Sequence, residues 1–315
     1  MSAVEKALGE GNTVAERQLE AALSRVTVWK GNAIRYRPVF GGFSNSNWRV
    51  NVAGEQCSFF VKLPGHGTER FIDRGASVEA GQRAFLLGIG PRCFDYLKDD
   101  GIEIYDFVEN CRTCVTSDFH RAGIRDRTIA LYRTFNDSPR LGLTKTVFDM
   151  IEEHLEQLAE LGGELPPNFS SMHREYRAAR AAIEASGLDL VPCYNDPAPA
   201  NFLSTRDGRI IIVDFEYASN NDRCYDLATW CAEMFFDEAM QNQAIEAYFG
   251  RVTADIQARM FAYRMLGDFK WSLWTMIQMV VSDIDFDFYK FGAWKRMRLL
   301  STLNDERWGR SLASL

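Results

Sequence analysis

At 315 residues, with 46% hydrophobic and 25% charged residues, the chain has an ordinary globular composition and enough length to bury a sizeable core, as one two-lobed unit or two domains. Its net charge of −7 speaks against a nucleic-acid binder, which usually carries a basic face, and suits a cationic small molecule; a plain solubility charge explains it equally well. No run of about 18 uncharged apolar residues occurs, and the N-terminus is polar, so neither a membrane span nor a signal core is expected and the expected location is cytoplasmic.

In chain order, apolar spacing predicts an amphipathic helix over residues 14–24, then strands over 34–40, 47–52 and 57–63, each ending at glycine or proline. A helix over 69–87 stops at Gly88-Ile89-Gly90-Pro91, and strands over 93–97 and 102–108 flank the hairpin turn Lys98-Asp99-Asp100-Gly101. Five strands and one helix make a compact first part. After about residue 110 the period becomes helical, with helices over 146–161, 169–185, 225–236, 238–248, 253–281 and 286–300. The segment 191–217 interrupts them. The seven cysteines are scattered, and Cys111-Arg112-Thr113-Cys114 has no second pair with which to hold zinc. The four histidines are far apart and form no metal-binding pair.

The chemistry concentrates in Tyr194-Asn195-Asp196-Pro197-Ala198-Pro199-Ala200-Asn201 and Val213-Asp214-Phe215-Glu216-Tyr217. Pro197 and Pro199 forbid helix and fix an irregular loop. The apolar run Ile210-Ile211-Ile212-Val213 delivers Asp214 at the edge of a buried strand, a costly place for a charge unless a cation or donors meet it. One carboxylate to take a hydroxyl proton, plus an amide oxygen and a second carboxylate for magnesium, is the layout phosphoryl transfer from ATP needs. A turn cap at Asp196 and a structural ion pair at Asp214 are the plainer alternative. Gly41-Gly42-Phe43-Ser44-Asn45-Ser46-Asn47 lets backbone amides approach phosphates, although it lacks the Gly-Lys-Ser/Thr of a P-loop and also reads as a hairpin turn. Lys62 lies on the next strand, where a cation reaches nucleotide phosphates. Ile124-Arg125-Asp126 imitates a kinase catalytic loop, but Leu131 stands where that loop needs asparagine. Trp271 and Trp274, three apart on one helix, share a face that serves either core packing or an ammonium-binding wall.

These residues resemble the choline/ethanolamine kinase family, within the aminoglycoside-phosphotransferase-like kinases. The likeness runs through Gly41-Gly42-Phe43-Ser44-Asn45, Lys62-Leu63-Pro64-Gly65, Asn195-Asp196 with Asn201, Asp214-Phe215-Glu216-Tyr217, Tyr225-Asp226-Leu227 and Trp271-Ser272-Leu273-Trp274. The resemblance implies a two-lobed, protein-kinase-like α+β fold. It has an N-terminal helical extension (1–30), a small antiparallel-sheet N-lobe binding nucleotide (31–109) and a larger, mostly helical C-lobe (110–315). It implies ATP and Mg2+ as cofactors and a small-molecule amino alcohol as acceptor, with no nucleic-acid or membrane partner. By position, Asp196 is the implied base, and Asn201 and Asp214 are the metal ligands. Gly42, Ser44, Asn45 and Lys62 lie on the phosphate side, with Asp106, Phe107 and Val108 as the adenine hinge. Tyr217, Glu233, Trp271 and Trp274 are the implied acceptor site, in a region that Phe286, Phe288 and Tyr289 complete.

Two positions depart from the family pattern. Tyr194 stands where a histidine braces the loop, and Ser77 stands where a helix glutamate pairs with the lysine, with Glu79 two residues away. The leading expectation is a kinase for choline or ethanolamine, as a precursor step of phospholipid metabolism. The alternatives are a kinase for an aminoglycoside or thiamine, and a non-catalytic nucleotide- or amine-binding relative. The oligomeric state is left open, a homodimer included.

Overall fold

A computed structural model describes residues 4–43 and 45–315. Ser44, expected on the phosphate side, lies outside the described residues. The chain forms two compact units: one holds the residues to Cys111 together with Ile211–Glu216, the other Arg112–Ile210 and Tyr217–Leu315.

In the first unit β1 (Lys6–Ala7), β2 (Ile34–Val39), β3 (Asn45–Val52), β4 (Phe59–Pro64), β5 (Cys93–Leu97) and β6 (Ile102–Asp106) form one antiparallel sheet in the order β1-β2-β3-β4-β6-β5. The sixth strand, β1, is two residues long and too short to leave an alternating signal in the sequence. Alternation along β4 sends Phe59, Val61 and Leu63 into a core with Leu19, Trp29, Val50 and Ile104. The same alternation turns Lys62 to the opposite face, where its register partner on β6 is Glu103. Helix α1 (Val14–Leu23) starts at a Thr13–Glu16 capping box and buries Leu19, Ala22 and Leu23 in that core. Helix α2 (Arg74–Leu86) starts later than the apolar spacing predicts. A 3-10 turn spans Thr68–Arg70, and the Asp73 side chain caps the helix by accepting from the Ala76 N–H at 3.0 Å. The stretch Ile211–Glu216, expected with the helical part, belongs to this unit. The Ile212 N–H donates to the Ile89 carbonyl at 2.9 Å, and the charges at 214 and 216 pair with Lys62 and Arg74.

The second unit contains α3 (Ala122–Asn136), α4 (Val147–Glu160), α5 (Phe169–Ser186), α6 (Arg223–Glu233), α7 (Glu238–Phe249), α8 (Ala254–Val281), α9 (Phe288–Leu303) and α10 (Arg307–Ala313). Residues 265–278 of α8 are buried without interruption, which makes it the central helix, packed by α4, α6 and α9. A Cβ at Gly267 would collide with the Thr229 side chain, so glycine at this position sets the close approach of α6 and α8. The kinase-loop imitation Ile124-Arg125-Asp126 lies inside α3. The strands Leu190–Cys193 and Ser219–Asp222 pair antiparallel and carry the chain to residue 194 and away from residue 217. All seven cysteines are free. Among the described residues no helix is long and apolar enough to cross a membrane.

Candidate active site

On the polar face of the sheet, Lys62 Nζ lies 2.5 Å from Asp214 Oδ1 and 3.1 Å from Glu216 Oε1. Burial works to discharge Lys62, but the carboxylates of Asp214, Glu216 and Glu103 outweigh it and hold the amine above the usual lysine range. Glu216 also pairs with Arg74, the first residue of α2, and accepts from Asn45 Nδ2 at 2.7 Å. Burial opposes its charge, yet Lys62, Arg74 and Asn45 keep Glu216 below the usual carboxylate range. Asn45 Oδ1 accepts from Arg74 Nη2 at 3.0 Å, so Asn45 is held within this cluster. The missing helix glutamate is thereby explained. Ser77 Oγ donates to both oxygens of Glu103 at 3.2 Å, and the carboxylates beside Lys62 come from the 214–216 segment. Gly42 takes φ 89°, a left-handed backbone that favours glycine, and a Cβ there would press on the Asn47 side-chain amide at 3.1 Å. At the expected hinge, the Asp106 carboxylate is gripped by Arg92 at 2.9 and 3.0 Å. The Phe107 N–H donates to the Ser58 carbonyl at 2.9 Å, and the Cys111 thiol donates to the Val108 carbonyl at 3.1 Å.

In the second unit, the loop before Asp196 hangs on one carboxylate. The Tyr194 and Asn195 N–H groups donate to Asp226 Oδ2 and Oδ1 at 2.8 and 2.7 Å, and Asn136 Nδ2 adds a third donor at 3.1 Å. Burial raises the Asp226 carboxyl to about 6 against the pull of these donors. Asn195 is left-handed at φ 64°; its Nδ2 donates to the Tyr217 carbonyl and to Ser219 Oγ, both at 2.8 Å, and its Oδ1 accepts from Asn221. Tyr194 is buried beside Tyr132 and Phe202 and fills an architectural position. Asp196 is half-buried and accepts from Asn201 Nδ2 at 2.9 Å, which leaves Asn201 Oδ1 as the amide atom suited to a cation. Asp226 appears in the sequence only as part of a motif. The signal for its role is an acid in the first turn of a predicted helix that follows the loop.

The aromatic residues come together: Tyr217 and Trp271 lie edge-on at 5.3 Å between ring centroids, Trp271 and Trp274 at 5.4 Å, and Trp274 and Phe288 at 5.8 Å. Phe286 packs on Phe288 at 5.0 Å, whereas Tyr289 is half exposed. Glu233 is buried and ion-paired to Lys295 and, at 3.1 Å, to Arg298, which also grips Asp268 at 2.5 Å. Burial opposes the charge on Glu233, and these two cations overcome it, holding the carboxyl below its usual range. A narrow recess beside them is lined by Pro197, Glu233, Asp268, Trp271 and Arg298. Sequence reasoning missed Lys270, which is fully buried, with Nζ 3.2 Å from the Trp271 ring centroid and 4.1 Å from that of Tyr217. Its signal was a charged residue amid an unbroken buried stretch of helix.

A small antiparallel sheet and a larger helical part are those of a protein-kinase-like α+β fold, and the family match that follows makes the chain a phosphotransferase acting on an alcohol group. The family model described as "Choline/ethanolamine kinase" matches residues 36–249, and the chain belongs to that family. It is similar to Protein LicA of Haemophilus influenzae, at 22% identity over 248 residues covering 76% of this chain and 72% of LicA. Among solved structures it resembles a choline/ethanolamine kinase family protein from Mesorhizobium loti, with a TM-score of 0.78, 24% identity and coverage of 95% and 98% of the two chains. The choline kinase LicA from Streptococcus pneumoniae gives a TM-score of 0.75 at 21% identity, with coverage of 95% and 100%. At these identities the two structures speak to the fold alone.

Proposed function

We propose that this chain transfers the γ-phosphoryl group of ATP to the hydroxyl of a small amino alcohol, with choline and ethanolamine as the reference acceptors. One observation carries the acceptor class. The rings of Tyr217, Trp271 and Trp274 stand together, with the Lys270 nitrogen against two of their faces, and ring faces of this kind attract an ammonium group. In this reading Asp196 draws the proton from the attacking hydroxyl, with its carboxylate oriented by Asn201. Lys62 steadies the phosphates, and the turn at Gly42 and Asn45 lets main-chain groups approach them. The adenine lies along 106–108; with the Phe107 N–H already donated to Ser58, its contacts fall to neighbouring main-chain groups. Carboxylate and amide oxygens are the hard donors that magnesium takes; Asp214 and Asn201 each offer one, and the ion when bound would neutralise phosphate charge. A polycationic aminoglycoside is a poorer fit, because Glu233 and Asp268 are already occupied by Lys295 and Arg298.

The test is acceptor-dependent ADP release over a panel of choline, ethanolamine, aminoglycosides and thiamine. Turnover is expected with an amino alcohol, and Asp196→Asn should lower it by about 10²- to 10⁴-fold. A wild-type rate equal to that of Asp196→Asn across the panel defeats the reading and leaves a non-catalytic binder.

A further inference from the structure

Polar side chains at the centre of a helical bundle normally find partners, and most of those along α8 do. Asp268 meets Arg298, and Thr275 donates to the Ser272 carbonyl at 2.8 Å. Lys270 is different. Its Nζ is fully buried and makes no hydrogen bond among the described residues. The indole N–H groups of Trp271 and Trp274, on the same wall, likewise make none. The amine that rests on the rings of Tyr217 and Trp271 and the two indole N–H donors of this wall thus make no hydrogen bond among the described residues. Burial holds the Lys270 amine well below the usual lysine range; the charge of Asp196 pulls the other way, and those of Lys145 and Lys295 act with burial.

We propose that Lys270 is a specificity-determining residue that reserves the aromatic wall for an acceptor amine bearing N–H donors, of the ethanolamine type, and excludes a fixed quaternary ammonium. The proposal rests on reading this wall as the acceptor's ammonium seat. A primary ammonium is small and presents three N–H groups, one of which can be donated to the Lys270 nitrogen when that nitrogen is unprotonated, while its charge faces the rings. A trimethylated ammonium has no N–H to offer and presents only methyl groups to that nitrogen. It would also need the volume that the lysine tip occupies at 3.2 Å from the Trp271 centroid. Removing the amine therefore relieves the donor mismatch, and removing the whole side chain relieves the steric one as well.

The experiment compares methylammonium with tetramethylammonium by tryptophan fluorescence titration of wild type, Lys270→Met and Lys270→Ala. The methionine variant keeps the bulk and removes the amine; the alanine variant removes both, and if it folds poorly the methionine variant decides alone. Wild type should bind methylammonium at least about tenfold more tightly than tetramethylammonium, and both variants should lower that ratio by about tenfold or more. The kcat/KM ratio for ethanolamine over choline should move in the same direction. A binding ratio unchanged in both variants, or a wild type that prefers tetramethylammonium, overturns the role of Lys270. If the binding ratio shifts while no amino alcohol supports turnover, Lys270 keeps the wall as described and only the acceptor reading falls. If turnover occurs and the ratios do not move, the acceptor reading stands and the Lys270 inference is lost.

Discussion

Two buried lysines, one in each unit, meet opposite fates. Lys62 sits on the polar face of the sheet with Asp214 at 2.5 Å and Glu216 at 3.1 Å, and it is held above the usual lysine range. Lys270 sits in the middle of α8 against two aromatic rings and makes no hydrogen bond among the described residues; its amine is pushed well below that range. Burial works against the charge at both positions, so burial alone decides nothing. Carboxylates at hydrogen-bond distance keep a buried ammonium charged, whereas ring faces do so only in part. A well-paired cation suits phosphate chemistry, and an amine without hydrogen bonds, set against ring faces, alters what those rings can bind.

The same substitution at both positions separates the two environments most sharply. Lys62→Met leaves the carboxylates of Asp214 and Glu216 facing each other with Arg74 as the remaining cation on Glu216. Removing one partner of a buried ion pair strands the other, so this variant should lose about 3 kcal/mol or more in urea unfolding, and ADP release should fall with it. Stability equal to wild type would mean that the carboxylates near Lys62 are not ionised.

A smaller effect tests the loop before Asp196. The Asp226 carboxyl lies near 6 in the folded chain, above the ordinary aspartate value. The folded state therefore holds more protons than the unfolded state between about pH 4 and pH 6, and this group's contribution to stability falls as pH rises through that window. Asp226→Asn should remove that slope. Between pH 4.5 and pH 7 the wild type should lose on the order of 2 kcal/mol relative to the variant. Parallel urea-unfolding profiles for the two proteins would show that the carboxyl titrates normally.

Legibility differed between the two regions for a physical reason. The Gly42 turn, the Lys62 strand, Asp196 with Asn201, and Asp214 were readable because a strand period, a proline-fixed loop and an apolar run ending in an acid are local patterns. The partners were not. Nothing in the period of α2 says that its glutamate's place is taken from segment 214–216, since that exchange depends on a contact across more than a hundred residues. Glu233 was readable as an acid at a family position, but its pairing with Lys295 and Arg298 arises because α6 and α9 both pack on α8. Lys270 was not readable because Trp271 and Trp274, on either side of Ser272-Leu273, carry the local pattern, and a lone lysine beside them shows no partner in the sequence. The residue preceding them is the one that modifies what those rings can bind.

The smallest effect has the opposite sign to the first. Lys270→Met replaces a buried amine without hydrogen bonds by an apolar side chain of nearly the same length, set against two aromatic rings. The wild-type cost of that amine is the water it gives up without a compensating hydrogen bond, partly offset by contact with the Trp271 and Tyr217 rings. The variant should therefore gain about 1 kcal/mol in urea unfolding, while Lys62→Met loses several times as much. A chain that keeps a destabilising lysine at the centre of its longest helix must gain something by it other than stability. If Lys270→Met instead destabilises the fold, the rings hold Lys270 as a structural cation, and the contrast between the two lysines reduces to which side chains neutralise them.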